Sequence, residues 1–232
     1  MRVAMCISGQ LRDEELSLPL IANVARELKP KVFISTWKLR GTKTSGAMDQ
    51  YQIRRTWGNE LYFGLPARLV GGLSLPRAIP AFADLLEQQI RENEPPVTVE
   101  SMEKYFDNPI VDIEDESKFC LDFVKPVTDV NSLRMLYKVW KCNELKRRHE
   151  KDTGQKFDIV VRLRPDFMLK PLAPDIMEAI CQDPGKLMFV AQGRRSFVGD
   201  TVAVSGSAGA DYYAALFCQS IARACTAVAW QP

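Results

Sequence analysis

Three short apolar runs dominate the folding of this chain: residues 3–8 (VAMCIS), 31–37 (KVFISTW) and 157–163 (FDIVVRL). They are continuous rather than alternating, as strands buried on both faces of a parallel sheet are. Gly9 closes the first run. Residues 13–28 follow with Leu16, Leu20, Val24 and Leu28 at a four-residue spacing, which predicts a helix stopped by Pro30. Strand, helix and strand in so little chain make a βαβ unit with a right-handed crossover. A helix over 133–150 leads into the third run. Ser132 is its expected N-cap, and Leu136, Val139, Trp140 and Asn143 its inner stripe. A short helix (174–182), strands at 186–191 and 201–205, a loop at 194–200 and a last helix from Ser207 complete the pattern. The expected fold is α/β, a Rossmann-like mostly parallel sheet with flanking helices in a single domain. A loop-rich and helical insertion interrupts it at about 39–131. Helices are expected there near 47–58, 81–94 and 98–106, and an irregular acidic stretch over 107–131.

Composition removes several classes of function. Of the 232 residues, 46% are hydrophobic and 26% charged, ordinary usage for a globular chain and unlike a disordered one. Lys+Arg 31 against Asp+Glu 29 leaves +2, too little for a protein whose affinity rests on neutralising many phosphates, so no nucleic-acid partner is expected. Locally the charge is not balanced. Residues 100–122 hold eight acids against two lysines, and 134–156 eight bases against three acids. The basic face Lys138, Lys141, Lys146, Arg147 and Arg148 reads as a solvated helix surface, placed where an anionic donor or a membrane-surface acceptor would be drawn in. The single histidine, His149, rules out a multi-His zinc site and is expected at the surface, on the polar end of its helix. Six cysteines without a C-x-x-C pair fit buried free thiols in a reducing compartment. No export signal and no run of ~20 apolar residues is found. The expectation is a cytoplasmic protein without a transmembrane segment, with peripheral association at the inner face of the membrane.

In open α/β sheets ligands bind beyond the carboxyl ends of the strands. Four segments fall there. Ser8-Gly9-Gln10-Leu11-Arg12 offers a glycine turn, a helix start and a guanidinium to an anion. It matches neither G-x-x-x-x-G-K-[ST] nor G-x-G-x-x-G, and an ordinary turn with a solvated arginine would look the same. Thr36 could bond a base or ribose and Trp37 stack on it; the alternative is core packing. Arg162-Leu163-Arg164-Pro165-Asp166 is the most informative segment, because two arginines and a carboxylate on a buried strand are costly unless paired or used. Alternation puts Arg162 and Arg164 on one face. Asp166, past the strand end, could hold a divalent cation that bridges a diphosphate while an arginine neutralises the leaving group; the alternative is an internal Arg–Asp ion pair. Asp200, after Gly199, could act as base, nucleophile or acceptor contact, or simply cap a turn.

Taken together, VAMCISGQLR, KVFISTW, SLRMLYKVWKCNEL, FDIVVRLRPDFML and FVGDTVAVSGSAGADYY resemble segments of bacterial glycosyltransferase-like proteins of polysaccharide gene clusters. The resemblance covers both ends of the chain but not the loop-rich middle. It implies a GT-A-like fold whose sheet edge binds a nucleotide-diphosphate sugar, with a glycan or lipid-linked glycan as acceptor. It also implies that Ser8, Gly9, Gln10, Arg12, Thr36, Trp37, Arg162 and Arg164 bind the donor, that Arg164, Asp166 and Asp200 serve the transfer, and that Asp166 holds Mn²⁺ or Mg²⁺. Where GT-A enzymes carry Asp-x-Asp, this chain reads Arg164-Pro165-Asp166, which puts the metal in question. Two other readings remain open: a non-catalytic nucleotide-sugar or glycan-binding module, and a sulfotransferase, against which the acidic run after Arg12 speaks.

Overall fold

The computed structural model describes residues 1–12, 14–40, 88, 92, 96–119, 130–167, 172–192 and 197–229. The chain divides into two compact units, Met1–Lys38 with Thr98–Pro232, and Leu39–Val97. The expected helix at 47–58 lies outside the described residues. Of the one at 81–94 only Gln88 and Glu92 are described; both are helical and joined by a side-chain hydrogen bond of 2.7 Å.

The larger unit is built on a six-stranded mixed sheet: β1 (Val3–Ser8), β2 (Lys31–Trp37), β3 (Ile110–Glu114), β4 (Ile159–Leu163), β5 (Leu187–Gln192) and β6 (Phe197–Ser205), in the order β3-β2-β1-β4-β6-β5. β3, β2, β1 and β4 run parallel. β6 is antiparallel to both β4 and β5, so it alone is reversed. The α/β, mostly parallel sheet read from the apolar runs is present, with two differences. Residues 107–131 are not irregular throughout, because Ile110–Glu114 form edge strand β3. The last strand begins at Phe197 rather than 201, so Asp200 lies inside β6 and not in a loop before it.

The connecting helices follow from their ends. α1 (Glu14–Leu28) opens with Glu14 and Glu15 against the positive end of the helix dipole. It ends where Lys29 takes a left-handed φ of 47° and donates its N–H to the Ala25 carbonyl (2.8 Å), one residue before Pro30. Its inner face follows the expected Leu16–Leu20–Val24–Leu28 row only at its far end. Leu16 and Leu20 are 51% and 38% exposed, while Leu18, Ile21, Ala22 and Val24 are buried. After α2 (Val99–Glu103), β3 and a 3-10 turn (Glu116–Lys118) comes α3 (Val130–Thr153), which begins two residues before the expected cap Ser132. α4 (Pro174–Gln182) starts on a proline, which has no N–H to leave unbonded there. α5 (Ser207–Ala214) and α6 (Leu216–Ala229) end the chain's helices.

α3 and α5 lie on one face of the sheet. Ala4, Cys6, Phe33, Val160, Phe157, Cys142 and Ala210 form one core there, and Val139, Ala203, Tyr213 and Ala214 another. Met5, Ile7, Ile34, Val161 and Leu163, which alternate with that set, are buried as well, so both faces are covered. The thiol of Cys142 lies 3.4 Å from the Phe33 carbonyl and 3.6 Å from that of Ile7. Cys6 and Cys142 are buried free thiols as expected, but Cys181 and Cys218 are exposed.

The basic face of α3 is where expectation and structure differ most. Lys138 and Lys146 are fully buried, not solvated. Lys146 Nζ donates to the Ser207 hydroxyl (2.7 Å), the Ser207 carbonyl (3.2 Å) and Asp211 (3.0 Å), and lies 3.4 Å from Glu150. Glu150 in turn accepts the Phe157 N–H at 2.9 Å. Two helices and a strand entrance are therefore tied through one ammonium. His149 is not a free surface ring either. It stacks on Phe157 (centroids 5.9 Å) and meets Phe33 edge-on (5.6 Å). Burial, then Lys31 and Arg2, lower its pKa.

Candidate functional site

β1 leads to β2 on one side, and the chain later returns to place β4 on its other side. The gap beyond the carboxyl ends of β1 and β4 is thus a topological switch point, the crevice where open α/β sheets take their ligands. The two segments that flank it are those singled out by residue chemistry: 9–12 after β1 and 164–166 after β4.

Gly9 makes the first turn possible. Its φ of +126° is one that side-chain-bearing residues rarely adopt, and a Cβ there would stand 3.6 Å from Pro165 Cδ. Its N–H donates to the Ser35 carbonyl (3.1 Å), holding the turn against β2. Across the gap, Arg164 N–H donates to the Thr201 carbonyl (2.9 Å) and Phe167 N–H to the Arg164 carbonyl (3.2 Å), closing a turn around Pro165 and Asp166. The Ser17 hydroxyl in α1 donates to the Pro165 carbonyl, so the first turn of α1 and the end of β4 are one fixed body.

The charged groups meet on Asp166. Arg164 grips it with a two-pronged fork, Nε to Oδ1 at 2.9 Å and Nη2 to Oδ2 at 2.6 Å. Arg12 Nη1 stands 3.7 Å from Oδ2 on the other side. Burial works against the ionised carboxyl, but the Arg164 hydrogen bonds and the Arg164 and Arg12 charges outweigh it and hold Asp166 below the usual carboxylate range. All three side chains keep some exposure: 24% for Arg12, 25% for Arg164 and 17% for Asp166. Of the two readings of this segment, an Asp166-held divalent cation on a diphosphate or an internal Arg–Asp ion pair, the geometry shows the ion pair, at a solvent-facing edge.

The other expected site residues are spread around this centre. Ser8 is fully buried and accepts from Arg162 Nε at 3.3 Å. Arg162, 5% exposed, lies one layer below the edge with Tyr213's ring 5.8 Å away. Gln10 donates to Glu116 at 3.3 Å, and Glu116 also pairs with Arg134 at 3.0 Å. Thr36 and Trp37 alternate along β2 and so belong to opposite faces of the sheet. Both are buried. Trp37 packs against Tyr137 (5.9 Å) and Phe119 (5.4 Å), and Lys138 Nζ sits 4.1 Å over its ring. The Thr36 hydroxyl makes no hydrogen bond among the described residues. The backbone of Asp200 is one residue from the Thr201–Arg164 pairing, hence at the same edge; its side chain lies outside the described residues.

Sequence reasoning missed the polar layer between β3 and α3. Lys138 bonds Glu114 at 2.6 Å and lies 3.6 Å from Asp112; Lys141 reaches the same two acids at 3.2 and 3.9 Å. Tyr137 donates its hydroxyl to Glu114 (2.9 Å), and Ser35 donates to Asp112 (2.9 Å). Burial lowers the Lys138 pKa, and Glu114 and Asp112 oppose that without reversing it. Burial disfavours ionised Glu114, yet Lys138, Tyr137 and Lys141 together bring its pKa down. Burial and the adjoining Glu114 raise the Tyr137 phenol, which stays protonated.

Among the described residues no group of three or more His, Cys, Asp or Glu side chains gathers as metal ligands. Asp166 is a single carboxylate with both oxygens committed to a guanidinium, whereas Mg²⁺ takes six oxygen ligands. The described donor set does not fit Mn²⁺ or Mg²⁺. A cavity of about 10 Å³ beside Cys6, Asn143, Arg162 and Ser205 has room for one water and no substrate. No described helix is long and apolar enough to cross a membrane.

The fold and site define an α/β protein with a Rossmann-like, mostly parallel sheet and a cluster of Arg12, Arg164 and Asp166 at its switch point. Comparison with family models, curated proteins and solved structures returns no match.

Proposed function

We propose that the chain is a glycosyltransferase of GT-A-like type. It would move a sugar from a nucleotide-diphosphate donor to a hydroxyl of a glycan or lipid-linked glycan in cell-surface polysaccharide synthesis, on the cytoplasmic side of the membrane. One observation carries this reading: Arg12 and Arg164 come from opposite sides of the switch point to within reach of one anion. Guanidinium forks match phosphate oxygens as they match carboxylates.

In this reading the acceptor oxygen attacks the anomeric carbon, and the bond from that carbon to the diphosphate oxygen breaks. The nucleoside diphosphate leaves with the electron pair, and Arg12 and Arg164 stabilise its charge. Asp200 takes the acceptor proton. Gly9 lets the backbone approach the donor, while Ser8 and Arg162 brace the edge from below. Trp37 and Thr36, buried at the end of β2, support the nucleotide side of the site from beneath rather than stacking on the base. Charge neutralisation rests on the arginines, with no metal in the step.

Calorimetry with nucleoside diphosphates and inorganic pyrophosphate, with and without Mn²⁺, tests the reading. Binding should occur in both conditions, and Arg164→Ala should weaken it at least about tenfold, the loss of one charge-assisted contact. Absence of diphosphate binding, or a folded Arg164→Ala variant that binds as wild type does, would refute it.

A further inference from the structure

Asp166 lies against both Arg164 and Arg12, the two guanidiniums that in the reading above receive the diphosphate. Its two oxygens fill the Arg164 fork, and Oδ2 also faces Arg12. With the carboxylate in place the three groups sum to one positive charge. A diphosphate brings at least two negative charges, so all of them together would crowd three or more anionic charges around two guanidiniums. We infer that Asp166 is a built-in counter-anion, a latch that holds Arg12 and Arg164 poised and is displaced when a diphosphate binds. The inference rests on the diphosphate reading above and gives Asp166 a role opposite to that of a metal-holding carboxylate.

Displacement asks little of the backbone. The turn is pinned by the Ser17–Pro165 hydrogen bond and by the Arg164 and Phe167 N–H bonds, none of which involves the Asp166 side chain. Rotation about the Asp166 side-chain bonds, which also gives up the carboxylate's hydrogen bond to its own backbone N–H, withdraws it from Arg164 Nε and Nη2. The carboxylate is 17% exposed, so it has solvent to turn toward. The latch also neutralises part of the arginine charge in the empty protein, which lowers affinity for anions that cannot fill both prongs.

The experiment is calorimetry of wild type, Asp166→Asn and Asp166→Ser with inorganic pyrophosphate and with uridine diphosphate. Circular dichroism and thermal melting establish that each variant is folded, and two variants are used because either alone could fail to fold. A competing self-ligand lowers apparent affinity by the fraction of time it occupies the site. Removing a partly exposed, two-pronged pair should therefore tighten pyrophosphate binding by about tenfold. A folded variant with such a gain supports the latch. Binding equal to or weaker than wild type in both variants overturns it and leaves the diphosphate reading standing. No binding by wild type or by either variant overturns both.

Discussion

Lys146→Met is the sharpest test of what holds the helices to the sheet. Methionine keeps most of the aliphatic stem and removes the ammonium. Wild-type Lys146 is fully buried and serves Ser207, Asp211 and Glu150 at 2.7 to 3.4 Å. Breaking one side of a buried ion pair costs about 3–5 kcal/mol, because the remaining charge stays buried without its partner. Here the two acids fare differently. The Asp211 side chain is 33% exposed and keeps Asn143 as a donor (2.8 Å), so water and the amide absorb part of its loss. Glu150 is 6% exposed and keeps the Phe157 N–H as a donor. The lower end of the range, about 3 kcal/mol, is the expected cost. For a chain of this size that lowers Tm by roughly 6–12 °C. Urea unfolding followed by circular dichroism gives the free energy, and differential scanning calorimetry the midpoint. Adding Glu150→Gln removes the stranded charge while its amide oxygen can still accept from Phe157. The double variant should regain about 1 kcal/mol or more. A loss under about 1 kcal/mol in Lys146→Met, or a double variant no more stable than the single, would refute the reasoning.

Three further outcomes follow from the geometry. Maleimide labelling of the native protein, read by peptide mass spectrometry, should modify Cys181 and Cys218 quickly; Cys6 and Cys142 should react only on unfolding, since both are buried and burial, with Cys6 beside it, raises the Cys142 thiol pKa. The lowered His149 pKa means that the unfolded chain binds its proton more tightly, so stability should rise with pH from the folded pKa up to about 6.5, and His149→Gln should flatten that rise in urea titrations; an unchanged slope would contradict the packing of the ring. Gly9→Ala should cost about 1–3 kcal/mol in the same assay, from a φ of +126° rather than from a clash, and a neutral substitution would show that the turn relaxes freely.

The strand core was legible because burial on both faces leaves an unbroken apolar run, as in VAMCIS and KVFISTW. β3 was not, because IVDIE alternates. Its Asp112 and Glu114 face α3 on the same side as Ile110, while Val111 and Ile113 face away, so acids sit on a side that hydrophobic patterning assigns to apolar residues. The same inversion hid the α3 face. Read separately, the acidic 107–131 segment and the basic helix looked like irregular chain and a solvated surface. Yet Asp112, Glu114 and Glu116 recur with a strand's period, and Arg134, Lys138 and Lys141 with a helix's. Matching those two periods would have paired the elements. In α1 the leucine spacing misled because an i, i+4 row names a stripe but not which side is inward. Leu18 and Ile21, with Ser17 reaching Pro165, settle that through tertiary contact. At the edge, RLRPD disclosed which residues meet, and the two-residue reach from Arg164 to Asp166 was implicit in it. That Arg12 would join them depends on β1 and β4 being neighbours, a non-local fact no spacing records.

The central position of β1 also has a kinetic consequence. Ala4 to Ser8 pair on one side with β2, which follows almost at once, and Val3 to Ile7 on the other with Ile159 to Leu163. During synthesis that second edge waits for most of the chain, on the order of ten seconds at ordinary elongation rates. For that interval an apolar strand carries unpaired N–H and C=O groups, the situation in which chains aggregate edge to edge. Contacts this distant in sequence slow folding, so β1 should become fully paired only once β4 has arrived, with β6 and β5 still to add beyond it. The strand that brings Arg164 and Asp166 to the candidate site is thus also the strand that covers the last open edge of β1.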